Sequence, residues 1–72
     1  MIVGVPREIK PQENSVAVLP STAYQLIKHG HRVFVEKGAG VGSGYPDSDY
    51  EAAGATVIVS HEKVLSESEL IV

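Results

Sequence analysis

The side chains best suited to chemistry lie between the first apolar run and the first predicted helix. The apolar run is Ile2–Val5, and the connection after it extends from residue 6 to residue 19. Connections in α/β units usually take about 2–6 residues, so a connection of this length does more than turn the chain. It carries a concentration of charged and amide side chains: Arg7, Glu8, Lys10, Glu13 and Asn14.

This connection leaves from the carboxyl end of a predicted strand, where open α/β sheets bind their ligands. Its cationic and hydrogen-bonding groups could bind an anionic ligand. A solvated connection held by internal ion pairs is the alternative, and composition alone does not separate the two.

A glycine-rich run, Gly38–Gly44, follows the second predicted strand. Its spacing differs from the dinucleotide fingerprint G-x-G-x-x-G, because the third glycine position falls on Ser43 or Tyr45. The fingerprint also opens a helix at once, whereas Pro46 delays the helix here. We therefore predict a structural loop with left-handed glycines and close backbone packing, and we assign no cofactor-binding residue to this chain.

Other clusters of polar and aromatic residues favour structural roles. Three acidic residues open the second predicted helix, where each negative charge contributes about 0.3–1 kcal/mol of helix stability. Two histidines flank Gly30 at a helix end, with no third ligand nearby in sequence, so we assign no metal ligand. We predict His61 at the surface and the tyrosines packed at the edges of elements. These residues are Asp47, Asp49, Glu51, His29, His31, Tyr24, Tyr45 and Tyr50.

Composition excludes several classes of function. The 72 residues carry a net charge of −3 and six Lys+Arg without a basic patch, which argues against nucleic-acid binding. No apolar run approaches the ~20 residues that span a bilayer. The absence of cysteine excludes disulfides and thiolate metal sites and suits a reducing cytoplasm. We interpret Met1 as a true start and the apolar end, Leu70–Val72, as a cut within a larger protein.

The hydrophobic pattern predicts alternating strands and helices. We predict strands at residues 2–5, 31–36, 55–59 and 69–72. Helices are predicted from Pro20 to a glycine stop at Gly30, from a cap at Asp47 or Ser48 to Gly54, and from a Ser60 cap to about residue 66. Ser48 with Glu51 fits a capping box. Alternation of this kind, with near-continuous Val/Ile strands, predicts an α/β fold with a parallel sheet and right-handed βαβ crossovers, flavodoxin- or Rossmann-like.

Taken together, these segments resemble the N-terminal domain of the alanine dehydrogenase family, which is related to the α subunit of proton-translocating transhydrogenase. The resemblance spans the chain without a gap. Its matching residues are Gly4–Lys10, Glu13–Asn14, Val16–Ala17, His29–His31, Val35–Gly40, Gly42–Gly44, Asp47, Asp49, Tyr50 and Ala53–Ala55.

The resemblance implies a cytoplasmic, homo-oligomeric, two-domain enzyme that interconverts L-alanine with pyruvate and ammonia using NAD. Residues 1–72 would form the N-terminal part of the substrate domain. The NAD-binding domain and the catalytic acid–base residues would lie outside this chain, so we expect the isolated chain to be inactive. No nucleic-acid or membrane partner is implied.

The family pattern in the long connection is Glu-Asn-Arg-Val-Ala, and here Ser15 stands where the family has an arginine that holds the substrate carboxylate. The resemblance makes Glu13, Asn14 and Ser15 the candidate substrate-binding residues. Replacing a bidentate, charged grip by one neutral hydroxyl costs about 2–4 kcal/mol of binding. Two alternatives follow: a transhydrogenase α-subunit segment, or a non-catalytic binding or assembly module.

Overall fold

The computed structural model describes residues 1–8 and 16–72. Its strands are β1 (Ile2–Val5), β2 (Arg32–Glu36), β3 (Thr56–Ile58) and β4 (Leu70–Ile71), and its α-helices are α1 (Pro20–Lys28), α2 (Asp47–Ala52) and α3 (His61–Glu67). A 3₁₀ turn occupies Val41–Ser43. The strands form one parallel sheet in the order β3-β2-β1-β4. The predicted α/β class, its parallel sheet and its order of elements are confirmed.

Both faces of the sheet are covered, which explains the apolar strands. Val33 and Val35 point to the face that α1 and α2 cover, where they join the main core. Gly4 and Phe34 are register partners and point to the opposite face, beside α3. A side chain at Gly4 would collide with Ser68, the residue that ends α3, so the glycine allows α3 to pack directly on β1.

The first helix forms as predicted. Pro20 occupies its first turn, where the missing N–H is not needed. Ala23 is fully buried, and Leu26 and Ile27 pack against the core from the same stripe. Gly30, at a φ of 93°, then turns the chain into β2.

The predicted capping box of α2 is wrong. Pro46 is the N-cap residue, and no side chain caps the helix. Asp47 instead turns its Oδ1 back to the glycine-rich loop, where it accepts the backbone N–H of Gly38 over 2.8 Å. Ser48 therefore lies two positions beyond the N-cap residue, inside the helix, and does not act as a cap. The Ser60 cap of α3 is confirmed, since its Oγ accepts the N–H of Lys63 over 3.1 Å.

In the described ranges, residues 1–8 and 16–72, every helix is too short or too polar to span a bilayer.

Ser60 and Ser48 form a matched pair for measuring how much a helix cap contributes to stability. Ser60→Ala is expected to lower the free energy of unfolding by about 1 kcal/mol, because the N–H of Lys63 loses its acceptor. Ser48→Ala is expected to change it by less than about 0.5 kcal/mol, because Ser48 caps nothing. Urea unfolding followed by circular dichroism measures both. Equal losses would contradict the cap assignment.

Candidate functional site

The strand order places a candidate ligand site at the carboxyl end of β1. The chain passes from β1 to β2 and β3 on one side, and α3 then carries it across to β4 on the other. The two strands that flank β1 are thus reached by crossovers on opposite faces of the sheet. In open α/β sheets a crevice forms at such a reversal, outside the carboxyl ends of the strands, and ligands bind there.

A cavity of about 290 Å³ lies at this position. Its lining comes from the segments that leave β1 and β4 and from the far end of the long connection: Pro6, Arg7, Glu8, Val16, Ala17, Ala39 and Val72. Glu8 and Val16, the described residues on either side of residues 9–15, both line this cavity.

The substrate-binding residues predicted from the sequence, Glu13, Asn14 and Ser15, lie outside the described residues, as does Lys10. Their roles stay predictions. Arg7 and Glu8, from the same predicted set, are described, and both line the cavity.

The start of the long connection is held by a carboxylate. Glu36 ends β2, and its Oε1 accepts the backbone N–H of Arg7 over 2.9 Å. The same oxygen lies 2.5 Å from Nδ1 of His61, the first residue of α3. The Glu36 side chain is only 12% exposed. His61 was predicted as a plain surface residue; it is half-exposed, and its ring contacts this carboxylate.

The end of the long connection is held from the other side. The N–H of Val16 donates to Oγ of Ser43 over 3.1 Å. The hydroxyl of Tyr50 donates to the backbone carbonyl of Val18 over 2.8 Å. Tyr50 is fully buried and is the largest fully buried side chain among the described residues, so its predicted position at the edge of an element is wrong. Burial raises the pKa of its phenol, and the nearby charges of Tyr45, Asp47 and Asp49 add to that.

The glycine-rich loop makes room for Tyr50. A Cβ at Gly40 would lie 2.6 Å from Cε2 of the Tyr50 ring and 2.9 Å from the carbonyl oxygen of Tyr45. Gly38 and Gly44 have φ values of 83° and 87°. These values confirm the prediction of a loop with left-handed glycines and close packing. Ser43 of the loop contacts the long connection directly, and the loop also makes room for Tyr50 of α2, which contacts it at Val18.

Sequence reasoning missed Tyr50 and Glu36 as residues of the site. The signal for Tyr50 is the composition of α2, Asp-Ser-Asp-Tyr-Glu-Ala, in which Tyr50 is the one large side chain that the helix can bury. The signal for Glu36 is weak, because a glutamate at the end of a strand is also typical of a solvated loop.

Charges around the site are mixed. A neighbouring cavity of about 400 Å³ is lined by the cations Arg7 and Lys37, by the carboxylates of Glu36 and Asp47, and by Gly38, Val41 and Val59. In the part of the chain that the structure describes, no three His, Asp or Glu side chains are grouped to hold a metal ion. His29 contacts the carbonyl oxygen of Gln25 through Nδ1, and Nδ1 of His31 lies 3.3 Å from the N-terminal amine.

A family model described as alanine dehydrogenase/PNT, N-terminal domain, matches residues 4–72. The chain belongs to this family. Alanine dehydrogenase of Bacillus subtilis (strain 168) is 55% identical over 64 residues, 89% of this chain and 17% of that relative. Alanine dehydrogenase of Methanococcus maripaludis is 43% identical over 72 residues, 100% of this chain and 19% of the relative.

Solved structures agree with the family. A chain titled L-alanine dehydrogenase matches with a TM-score of 0.96 and 44% identity, over 100% of this chain and 20% of that one. The transhydrogenase from Sinorhizobium meliloti matches with a TM-score of 0.89 and 37% identity, over 99% of this chain and 21% of that one. The chain thus spans about a fifth of the length of these relatives. The resemblance to the alanine dehydrogenase family is confirmed.

Removing the Tyr50 hydroxyl tests the anchor of the long connection. Tyr50→Phe keeps the ring against Gly40 but leaves the Val18 carbonyl without its donor, so we expect a loss of about 1–2 kcal/mol in the free energy of unfolding. Tyr24→Phe, at a half-exposed tyrosine, is the control and is expected to change little. Urea unfolding at neutral pH measures both. A Tyr50→Phe variant as stable as the control would contradict the anchor.

Alkaline pH provides an independent measurement. The folded state raises the pKa of Tyr50 above its ordinary value of 10.0, so the folded protein holds this proton more tightly than the unfolded chain. The stabilisation is complete below pH 10 and is lost as the pH rises through the folded pKa. We therefore expect the free energy of unfolding to fall more steeply above pH 10 in the unsubstituted protein than in Tyr50→Phe. Parallel curves would contradict the raised pKa.

Proposed function

We propose that this chain is the N-terminal part of the substrate domain of an NAD-dependent L-alanine dehydrogenase. The enzyme would interconvert L-alanine with pyruvate and ammonia. The observation that carries the proposal is the 55% identity to the Bacillus subtilis alanine dehydrogenase. The fold supports it, because Glu8 and Val16 line a cavity at the carboxyl end of β1, where ligands of α/β sheets bind.

The proposed role of the chain is to bind and orient the small carboxylic acid. Glu13, Asn14 and Ser15 would line the pocket, on a segment whose start is held by Glu36 and whose end is held by Tyr50. No catalytic acid or base is assigned to this chain, and those residues would belong to the remainder of the enzyme.

The described residues do not fit the pyrophosphate of NAD. Phosphate binding needs free backbone N–H groups at a glycine loop that opens a helix. Here the ring of Tyr50 packs against Gly40, and Asp47 occupies the N–H of Gly38. Asp47 and Asp49 in the first turn of α2 would also repel a phosphate. We therefore assign NAD to a separate domain of the proposed enzyme. A cytoplasmic homo-oligomer completes the proposal.

The hypothesis of a transhydrogenase segment is less well supported than that of a dehydrogenase segment. The sequence of this chain is 37% identical to that of the solved transhydrogenase and 44% identical to that of the solved L-alanine dehydrogenase. The Gly42–Gly44 run followed by Tyr45 also favours the dehydrogenase. Ser15 remains the feature that favours a non-catalytic module.

Turnover by the complete gene product tests the proposal. With L-alanine and NAD, the full-length protein is expected to form NADH and pyruvate, and the purified 72-residue chain is expected to form none. NADH absorbance measures both. A complete gene without a nucleotide-binding half would reject the proposal, and NADH formed by the short chain would reject the assignment of NAD and the acid–base residues to other segments.

Ser15→Arg tests the placement of the substrate carboxylate. Restoring a charged, bidentate donor is expected to lower the KM for pyruvate by roughly 30-fold, which corresponds to about 2 kcal/mol of binding. Gln12→Arg is the control, because it adds the same charge to the same segment at a position to which the proposal assigns no substrate contact. If Ser15→Arg leaves the KM unchanged, or if Gln12→Arg lowers it equally, then residue 15 does not hold the carboxylate.

A further inference from the structure

The cavity of about 400 Å³ beside the candidate site lies where three neighbouring strands end. Arg7 follows β1, Lys37 follows β2 and Val59 follows β3, and these strands are adjacent and parallel in the sheet. Small-molecule sites typically occupy about 300–1,000 Å³, and open α/β sheets bind ligands outside the carboxyl ends of their strands. Every residue that lines this cavity belongs to the described ranges.

Two cations of this cavity, Arg7 and Lys37, form no ion pair with any residue in the ranges 1–8 and 16–72. Both residues are exposed. The guanidinium of Arg7 lies beside Gly38, with Nη1 3.8 Å from the position that a Cβ of this glycine would take. A guanidinium and an ammonium group that line one cavity, each able to donate, suit a ligand carboxylate.

Two carboxylates line the same cavity, and each is bonded through one oxygen. Glu36 uses Oε1 for the N–H of Arg7 and for His61. Asp47 uses Oδ1 for the N–H of Gly38. Within the part of the chain that the structure describes, Oδ2 of Asp47 has no hydrogen-bond partner. Asp47 and Arg7 thus both lie beside Gly38 without pairing with each other, so a ligand can meet a negative and a positive group in one cavity.

Apolar surface and balanced charge complete the cavity. Val41 and Val59 line it and are 62% and 77% exposed. A simple anion such as phosphate is attracted by the two cations and repelled by the two carboxylates, whereas a zwitterion can meet both signs favourably. An aliphatic α-amino acid carries a carboxylate, an ammonium group and an apolar side chain. Its three parts match the three kinds of group that line the cavity.

We propose that this cavity binds an aliphatic α-amino acid. Arg7 and Lys37 hold its carboxylate, and Oδ2 of Asp47 accepts a hydrogen bond from its ammonium group. Val41 and Val59 contact its side chain. The site is separate from the 290 Å³ cavity proposed for the substrate, with which it shares only Arg7. The inference goes beyond the proposed function and does not depend on dehydrogenase activity.

Isothermal titration calorimetry of the full-length protein with two probes tests the site. L-Valine is the amino acid, and 3-methylbutanoate is the same molecule without its ammonium group. The unsubstituted protein is expected to bind L-valine. Lys37→Gln is expected to weaken both probes about tenfold or more, because a charged donor to the carboxylate is lost. Asp47→Asn can still accept the N–H of Gly38. It is expected to weaken L-valine about tenfold and to strengthen 3-methylbutanoate, because only L-valine carries an ammonium group.

Lys28→Gln and Asp49→Asn are matched controls, because they remove the same charges at exposed residues that do not line the cavity. Each is expected to change both affinities by less than about twofold. The 290 Å³ cavity contains neither Lys37 nor Asp47, so L-valine bound there would keep its affinity in both test variants.

No binding of L-valine at about 10 mM would overturn the proposal, and so would an unchanged affinity in Lys37→Gln or equal losses in the controls. An Asp47→Asn variant that binds both probes more tightly would also overturn it, because that is the behaviour of a simple anion site. Urea unfolding checks that each variant is folded. Lys37 lies outside every helix and strand, so Lys37→Gln decides the outcome by itself if Asp47→Asn does not fold.

Discussion

The hydrogen bond from the Tyr50 hydroxyl to the Val18 carbonyl is the interaction on which the other features of this fold converge. A tyrosine can be fully buried only if its hydroxyl finds a partner, because an unpaired hydroxyl in an apolar core costs free energy. The partner lies on the long connection, so one side chain both fills the core between α1 and α2 and ties down that connection. Gly40 has to lack a side chain for this packing, because a Cβ there would collide with the Tyr50 ring.

The two ends of the long connection are held by different kinds of interaction. At its far end the contact is the neutral, buried hydrogen bond from Tyr50 to Val18, and both residues belong to the hydrophobic core. At its near end the anchor is a carboxylate near the surface, which accepts a backbone N–H and meets a histidine. The near end therefore depends on local charge, whereas the far end depends on packing.

The features that were predicted correctly from the sequence depend on residues close to one another along the chain. Gly30 and Gly54 end helices because only glycine adopts their left-handed φ readily, and Ser60 caps α3 by a bond to a residue three positions away. The failed prediction for Ser48 has a non-local cause, since Asp47 bonds to Gly38 across the loop. Tyr50 reaches Val18 across 32 positions and Glu36 reaches Arg7 across 29, so neither contact belongs to any window of the sequence. A candidate site at the carboxyl end of β1 could be proposed from the sequence, because the connection that leaves this strand is long and polar, but the contacts that hold the connection could not.

The residues that hold the long connection in place differ from those proposed to bind the substrate carboxylate, and this difference bears on the proposed role of Ser15. Every anchor described for the long connection uses residues outside 9–15: Arg7, Val16 and Val18 on the connection itself, and Glu36, Ser43 and Tyr50 on its neighbours. Fold and family membership therefore stand on the described residues and on the match over residues 4–72, and neither depends on the proposed role of Ser15 in holding a carboxylate.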